Sequence, residues 1–154
     1  MSFTYTSIPN LLTKEECDLI LNFSLEHLTL KQAGIVGEIK PNYDKRKSNV
    51  AFYPYYEKFP FILEKITKLL QENINQNKRY CSLVIQLNDG YEDGDLELKL
   101  SDGSIMKVEK GIGNTIVFLS NIEHRVTGVK SGVRYTLVNW VGIQEKNNYK
   151  KTLL

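Results

Sequence analysis

An α+β domain is predicted, with two helices followed by a run of antiparallel strands. Three observations carry this. The N-terminal half has apolar residues at helical spacing. From Arg79 onward the period becomes two. Turn signals built on glycine then recur at short intervals, the pattern of a sandwich or barrel with helices packed on one face.

The elements follow in order. "FTYTSI" (Phe3–Ile8) alternates and is aromatic and β-branched enough for a short strand. Thr13 followed by Glu16 is a capping box that opens a helix over 14–27. Cys17, Ile20, Leu21, Ser24 and Leu28 trace its buried face. Gly34 and Gly37 mark a loop or short strand. "PNYDKRKSNVAFYP" is basic at Lys45, Arg46 and Lys47 and leads into a strand over 48–53. Its basic centre is read as a solvated loop, the alternative being a lip that faces substrate. Phe61, Leu63, Ile66, Leu69, Leu70 and Ile74 predict a second helix over 57–75, with Pro60 in its first turn.

"RYCSLVIQLND" is a strongly apolar strand that ends at Asp89-Gly90. "GDLELKL" and "SIMKVEK" form a hairpin around Asp102-Gly103. Gly111 and Gly113 turn the chain into "NTIVFLS". "NIEHRVTGVKSGVRYTLVNW" is read as two more strands, closed by a three-residue loop, Lys130-Ser131-Gly132. In that hairpin His124, Val126, Arg134, Thr136 and Trp140 share a face, unless a glycine bulge changes the parity. The organisation is a single domain over 1–154: a helical part over 1–78, a β-part over 79–142 and a polar tail over 143–154.

Composition narrows the function classes. At 154 residues, with 42% hydrophobic and 25% charged, the chain suits one globular domain. Twenty Lys and Arg against 18 Asp and Glu give a net charge of +2, with no basic stripe to argue for nucleic acid. No stretch reaches the roughly 20 apolar residues of a membrane span, and the N-terminus has no signal-peptide pattern. Cys17 and Cys81 are expected to be buried, reduced thiols in a cytoplasmic protein. With no CxxC spacing there is no zinc knuckle.

Two residues of the 121–140 stretch carry chemistry. A neutral imidazole such as His124 is a good ligand for first-row transition metals. A guanidinium such as Arg134 offers a carboxylate two parallel donors. The bland alternatives are a hydrogen-bonded surface histidine and a surface ion-pair arginine.

"YCSLVIQLNDGYEDGDLEL" and "VEKGIGNTIVFLSNIEHRVTGVKSGVRYTLVNWVG", in that order, resemble the C-terminal half of the 2-oxoglutarate- and iron(II)-dependent dioxygenases, in the prolyl-4-hydroxylase-like branch. "IPNLLTKEECDLIL" resembles that branch's first helix and "RKSNVAFYP" its following strand. The resemblance implies a double-stranded β-helix, a jelly roll with the two N-terminal helices on one face. It implies hydroxylation of a peptidyl or small-molecule substrate, with Fe(II) and 2-oxoglutarate as cofactors. It places a metal ligand on His124 and the grip on the far carboxylate of 2-oxoglutarate on Arg134, with Thr136 assisting.

The family's HxD or HxE motif is absent from the chain. The other histidine, His27, is followed two residues later by Thr29 and is read as a helix C-terminal residue. Asp89, Glu92, Asp93 and Asp95 are the acids near the strand end that a metal would have to recruit. The predicted second helix runs almost directly into the apolar strand, so the block with the first two ligands is missing. A catalytically inactive binding or interaction protein is the alternative reading. Missing strands would also leave open edges, which predicts a homodimer through the central strand or poor solubility.

Overall fold

The computed structural model describes residues 4–32, 49–51, 55–73 and 79–143. The predicted loop through Gly34 and Gly37, the basic segment at Lys45–Lys47, Ile74 and the polar tail beyond Ile143 lie outside the described residues.

Strand β1 (Tyr5–Ile8) leads into helix α1 (Lys14–His27). The predicted capping box is formed: Glu16 N–H donates to Thr13 Oγ1, and Thr13 N–H donates to Glu16 Oε2. Cys17 and Ile20 are buried. Strands β2 (Lys31–Gln32) and β3 (Asn49–Val50) pair with each other.

The predicted second helix is two helices, α2 (Tyr55–Lys58) and α3 (Pro60–Asn73). Proline has no N–H to give the preceding turn and crowds it, so the break falls at Phe59 and Pro60 starts a new helix. The buried face shares Ile66 and Leu69 with the predicted one and otherwise differs. Phe59, Ile62, Ile66 and Leu69 are buried, whereas Leu63 is 51% exposed. The new start resets the helix, and the i, i+4, i+7 set that follows from Ile62 faces the sheet.

Strand β4 (Arg79–Gln86) is the centre of the molecule. After it come β5 (Tyr91–Asp93), β6 (Leu96–Lys99), β7 (Ile105–Lys107), β8 (Thr115–Leu119), β9 (His124–Val126), β10 (Val129–Gly132) and β11 (Thr136–Ile143). One sheet has the order β1-β8-β4-β11, a second β7-β6-β9, and β5 pairs with β10 in a separate ribbon. All these pairings are antiparallel.

Two cores explain the apolar run in β4. Cys81, Leu83, Ile85 and Val117 face the helices with Cys17, Ile20, Ile62 and Ile66. Val84, Ile116 and Phe118 face the three-stranded sheet with Leu96, Leu98 and Val108. The layers are therefore helices, four-stranded sheet and three-stranded sheet, a double-stranded β-helix with helices on one face. A strand covered on both faces loses its polar alternation.

The predicted hairpin at the end of the chain does not form. Its segments go to three partners: β9 to β6, β10 to β5 and β11 to β4. Lys130-Ser131-Gly132 lies in β10, whose register shifts between Val129 and Ser131. Gly132 does take a positive φ, 77°. There it lets β10 pass close over the carbonyl of Gly90, which a side chain would strike.

The predicted dimer through the central strand is also corrected. β4 has β8 on one side and β11 on the other, so neither of its edges is free. Both cysteines are free and buried, as expected.

Candidate functional site

Strand register decides which side chains meet, because residues directly opposite in an antiparallel pair point to the same side. His124 pairs with Leu98 and Val126 with Leu96, both in the core between the two sheets. Thr136 pairs with Gln86, Val138 with Val84 and Trp140 with Ser82, on the same inter-sheet side. Arg134 precedes the strand, but Tyr135 between it and Thr136 packs on the helix-facing core, which leaves Arg134 for the inter-sheet side. The side-sharing expected of a hairpin is thus reached through two separate sheets.

His124 stands at the edge of the three-stranded sheet, exposed, with its ring edge-on to Phe118 at 4.9 Å. Its Nδ1 lies 2.7 Å from the carbonyl oxygen of Ile122. A carbonyl only accepts, so Nδ1 is the donor; in the neutral ring Nε2 is then the nitrogen with the free lone pair, the tautomer of a metal-ligating imidazole.

Arg134 is half-buried. Among the described residues no carboxylate stands within ion-pair distance of its guanidinium, in contrast to Arg125, whose Nε is 2.8 Å from Glu97 Oε2. Its stem runs along Gly94, which follows β5. A Cβ on Gly94 would stand 2.8 Å from Val129 Cγ2, 3.3 Å from Arg134 Cδ and 3.5 Å from Tyr91 Cε2. Gly94 also has φ +67°, so glycine is needed there twice over.

Two residues beside Arg134 and Thr136 were not singled out in the sequence. Gln86 is 4% exposed. Its Nε2 donates to the carbonyl of Glu109 at 2.9 Å, and its Oε1 accepts from Tyr91 Oη at 3.2 Å. Tyr91 carries the Lys110 ammonium over its ring at 5.2 Å. Both sit in segments without a chemical motif, and only the register of β4 and β5 brings them here.

Two of the four neighbouring acids, Asp95 and Glu92, are engaged elsewhere. Asp95 takes Lys107 and Lys110, each at 2.9 Å. Hydrogen bonds from Lys110 and then Lys107 hold its carboxyl below the ordinary aspartate value. Glu92 faces Lys130 and Ser131 across the β5–β10 ribbon. His27 stacks on Phe23 at 4.5 Å at the end of α1, with Nδ1 on the Phe23 carbonyl. Among the described residues no three of His, Cys, Asp and Glu come together as a metal site. Iron held in an open catalytic site takes about three protein ligands, and the described residues offer His124 alone. The donor set of the described residues does not fit the metal. It does include a guanidinium without a carboxylate partner among the described residues, with a hydroxyl two residues along.

The sequence profile of the 2OG-Fe(II) oxygenase superfamily matches residues 40–142. The chain belongs to that superfamily of oxygenases, whose members use iron(II) and 2-oxoglutarate. Among solved structures it is similar to a prolyl-4-hydroxylase from Pseudomonas putida, at 16% identity and TM-score 0.68, over 92% of this chain and 94% of that one. It is also similar to a Trichoplax adhaerens prolyl hydroxylase, solved with a peptide fragment of the hypoxia inducible factor oxygen degradation domain. There the identity is 13% and the TM-score 0.70, over 90% of this chain and 83% of that one. A viral collagen prolyl hydroxylase from Paramecium Bursaria Chlorella virus-1, in a 2OG complex, gives 14% identity and TM-score 0.61, covering 92% and 97%. No curated protein matches the chain. The fold is thus the prolyl-hydroxylase-like double-stranded β-helix. No helix among the described residues is long and apolar enough to cross a membrane.

Proposed function

We propose that this chain is a prolyl-4-hydroxylase-like member of the superfamily that binds 2-oxoglutarate through Arg134 and Thr136. His124 stands at the same inter-sheet space as its one imidazole, and the target is a peptidyl or small molecule. The observation that carries the reading is the guanidinium of Arg134. It is half-buried, has no carboxylate partner among the described residues, and lies on the side of the sheet that Thr136 and His124 share. A planar fork held in this way is made for a carboxylate. The peptide bound to the Trichoplax enzyme supports a peptidyl target.

Iron(II) supplies the oxygen chemistry of the superfamily. With one ligand among the described residues, no chemical step is assigned to it in this chain. The same shortfall favours a second reading, a binding or interaction protein in which Arg134 holds an anion without metal and nothing is oxidised.

Isothermal titration with 2-oxoglutarate, run anaerobically with and without iron(II), separates the two. Binding that tightens with iron, accompanied by succinate release in air, is the expected result for the oxygenase. Binding indifferent to iron, without succinate release, assigns the binding protein. No binding in either condition overturns the role of Arg134 in both.

A further inference from the structure

We infer that Asn88 is a positioning residue for Arg134, whose side-chain amide clamps the backbone on both sides of that arginine. This rests on Arg134 being the anion anchor. Asn88 Oδ1 accepts the Tyr135 N–H at 2.8 Å, and its Nδ2 donates to the Val133 carbonyl at 2.7 Å. The Val133 carbonyl belongs to the peptide plane before the Arg134 Cα, and the Tyr135 N–H to the plane after it. Each plane is rigid, so holding both fixes φ and ψ at Arg134. The direction in which its side chain leaves the backbone is then set.

Arg134 lies where the strand ladders give out. β10 ends at Gly132, paired with β5, and β11 begins at Thr136, paired with β4. Residues 133–135 cross from one pairing to the other. Asn88 stands at the matching crossing, between the end of β4 at Gln86 and the start of β5 at Tyr91. A side-chain amide has both a donor and an acceptor, so it can stand in for a backbone partner there. The clamp is itself held. Leu87 N–H donates to the Tyr135 carbonyl at 3.0 Å, and Tyr135 packs on the helix-facing core. Gly132 passes close over the Gly90 carbonyl on the other side. From this fixed root the Arg134 stem runs out along Gly94. A guanidinium aimed before its anion arrives loses less freedom on binding.

Asn88→Ala removes both bonds. Titrations of the parent and Asn88→Ala with 2-oxoglutarate read the first effect, with thermal melts alongside. The expected result is a variant that still melts in one cooperative step and binds about tenfold more weakly. Amide hydrogen exchange on the parent reads the second effect. Coupling is reciprocal, so an anion on the guanidinium must also tighten the clamp. Saturating 2-oxoglutarate should slow exchange at the Tyr135 amide and leave the Leu28 amide, bonded to Ser24 at the C-terminal end of α1, as it was. A clamp with a merely structural role would lower the melt and leave the two amides alike. Unchanged affinity in folded Asn88→Ala, or no greater slowing at Tyr135 than at Leu28, overturns this inference alone. If Asn88→Ala fails to fold, the exchange on the parent decides. A parent that does not bind 2-oxoglutarate overturns the Arg134 reading, and this one falls with it.

Discussion

Arg134 and Cys17 show how surroundings set what a side chain can do. The Arg134 stem is packed on Gly94, while its guanidinium is left without a carboxylate partner among the described residues. Arg134→Lys keeps the charge but loses the fork, so 2-oxoglutarate affinity should fall by about tenfold or more, read by titration, with the melt unchanged. Cys17 is buried, and burial, reinforced by Asp18 and Glu16, pushes its thiol up to about 11. At pH 8 only about one molecule in a thousand would carry the thiolate, which is the reactive form. The folded protein should therefore resist a thiol reagent at pH 8 and release two reactive thiols in denaturant. Rapid labelling of Cys17 in the folded state would contradict its placement against the Gln86 carbonyl. Asp95 gives a pH signature. Its carboxyl is lower in the folded state than its ordinary value because of Lys110 and Lys107. Its stabilisation is present above the unfolded value, near 4, and is lost as the pH falls through the folded one. Asp95→Asn should accordingly lose less stability than the parent on acidification from pH 5 to pH 3, read by melts across that range.

Elements differ in how openly they were written. Helix α1 and strand β4 are legible, one through a capping box with helical spacing and the other through a long apolar run that two cores require. Thr13→Ala removes the hydroxyl of that box and should cost about 1 kcal/mol, seen as a lowered chemical-denaturation midpoint with unchanged slope. Gly103 and Gly113 make a sharper comparison. Both have positive φ, 84° and 78°. Nothing stands near a Cβ on Gly103, whereas one on Gly113 would overlap the Leu12 carbonyl. Alanine at Gly103 meets only the backbone cost, about 1 kcal/mol. At Gly113 it must also push α1's lead-in off the sheet, so the midpoint should fall much further. Strands β5, β9 and β10 were not legible as they stand. At three or four residues they have too little alternation to show a period, and their partners lie far away in sequence. The 121–140 stretch read as one hairpin because a glycine and two apolar runs describe a local turn as well as they describe three distant pairings. His124, Arg134 and Thr136 could be picked out because their spacing resembles a family. Gln86 and Tyr91 could not, since β4 and β5 become neighbours of Arg134 only when the chain is folded.

Over the molecule as a whole, the outermost described strands matter. Among the described residues β11 is paired only with β4, and β9 only with β6. The inter-sheet residues nearest them remain uncovered: Val126 is 47% exposed, Val138 39% and Trp140 58%. Unpaired N–H and C=O groups beside apolar side chains form a template for another strand. Self-association is therefore expected through the β11 edge, and not through the central strand, which is paired on both sides. The elution volume on size exclusion should shift toward a dimer as concentration rises. Val138→Lys puts a charge beside that edge, the device by which natural sheets discourage pairing. It should return the protein to a monomer while leaving the helix-facing core, and hence the melt, nearly unchanged. A parent that stays monomeric at every concentration would show that the edge is not used. A dimer that survives Val138→Lys would move the contact to some other surface.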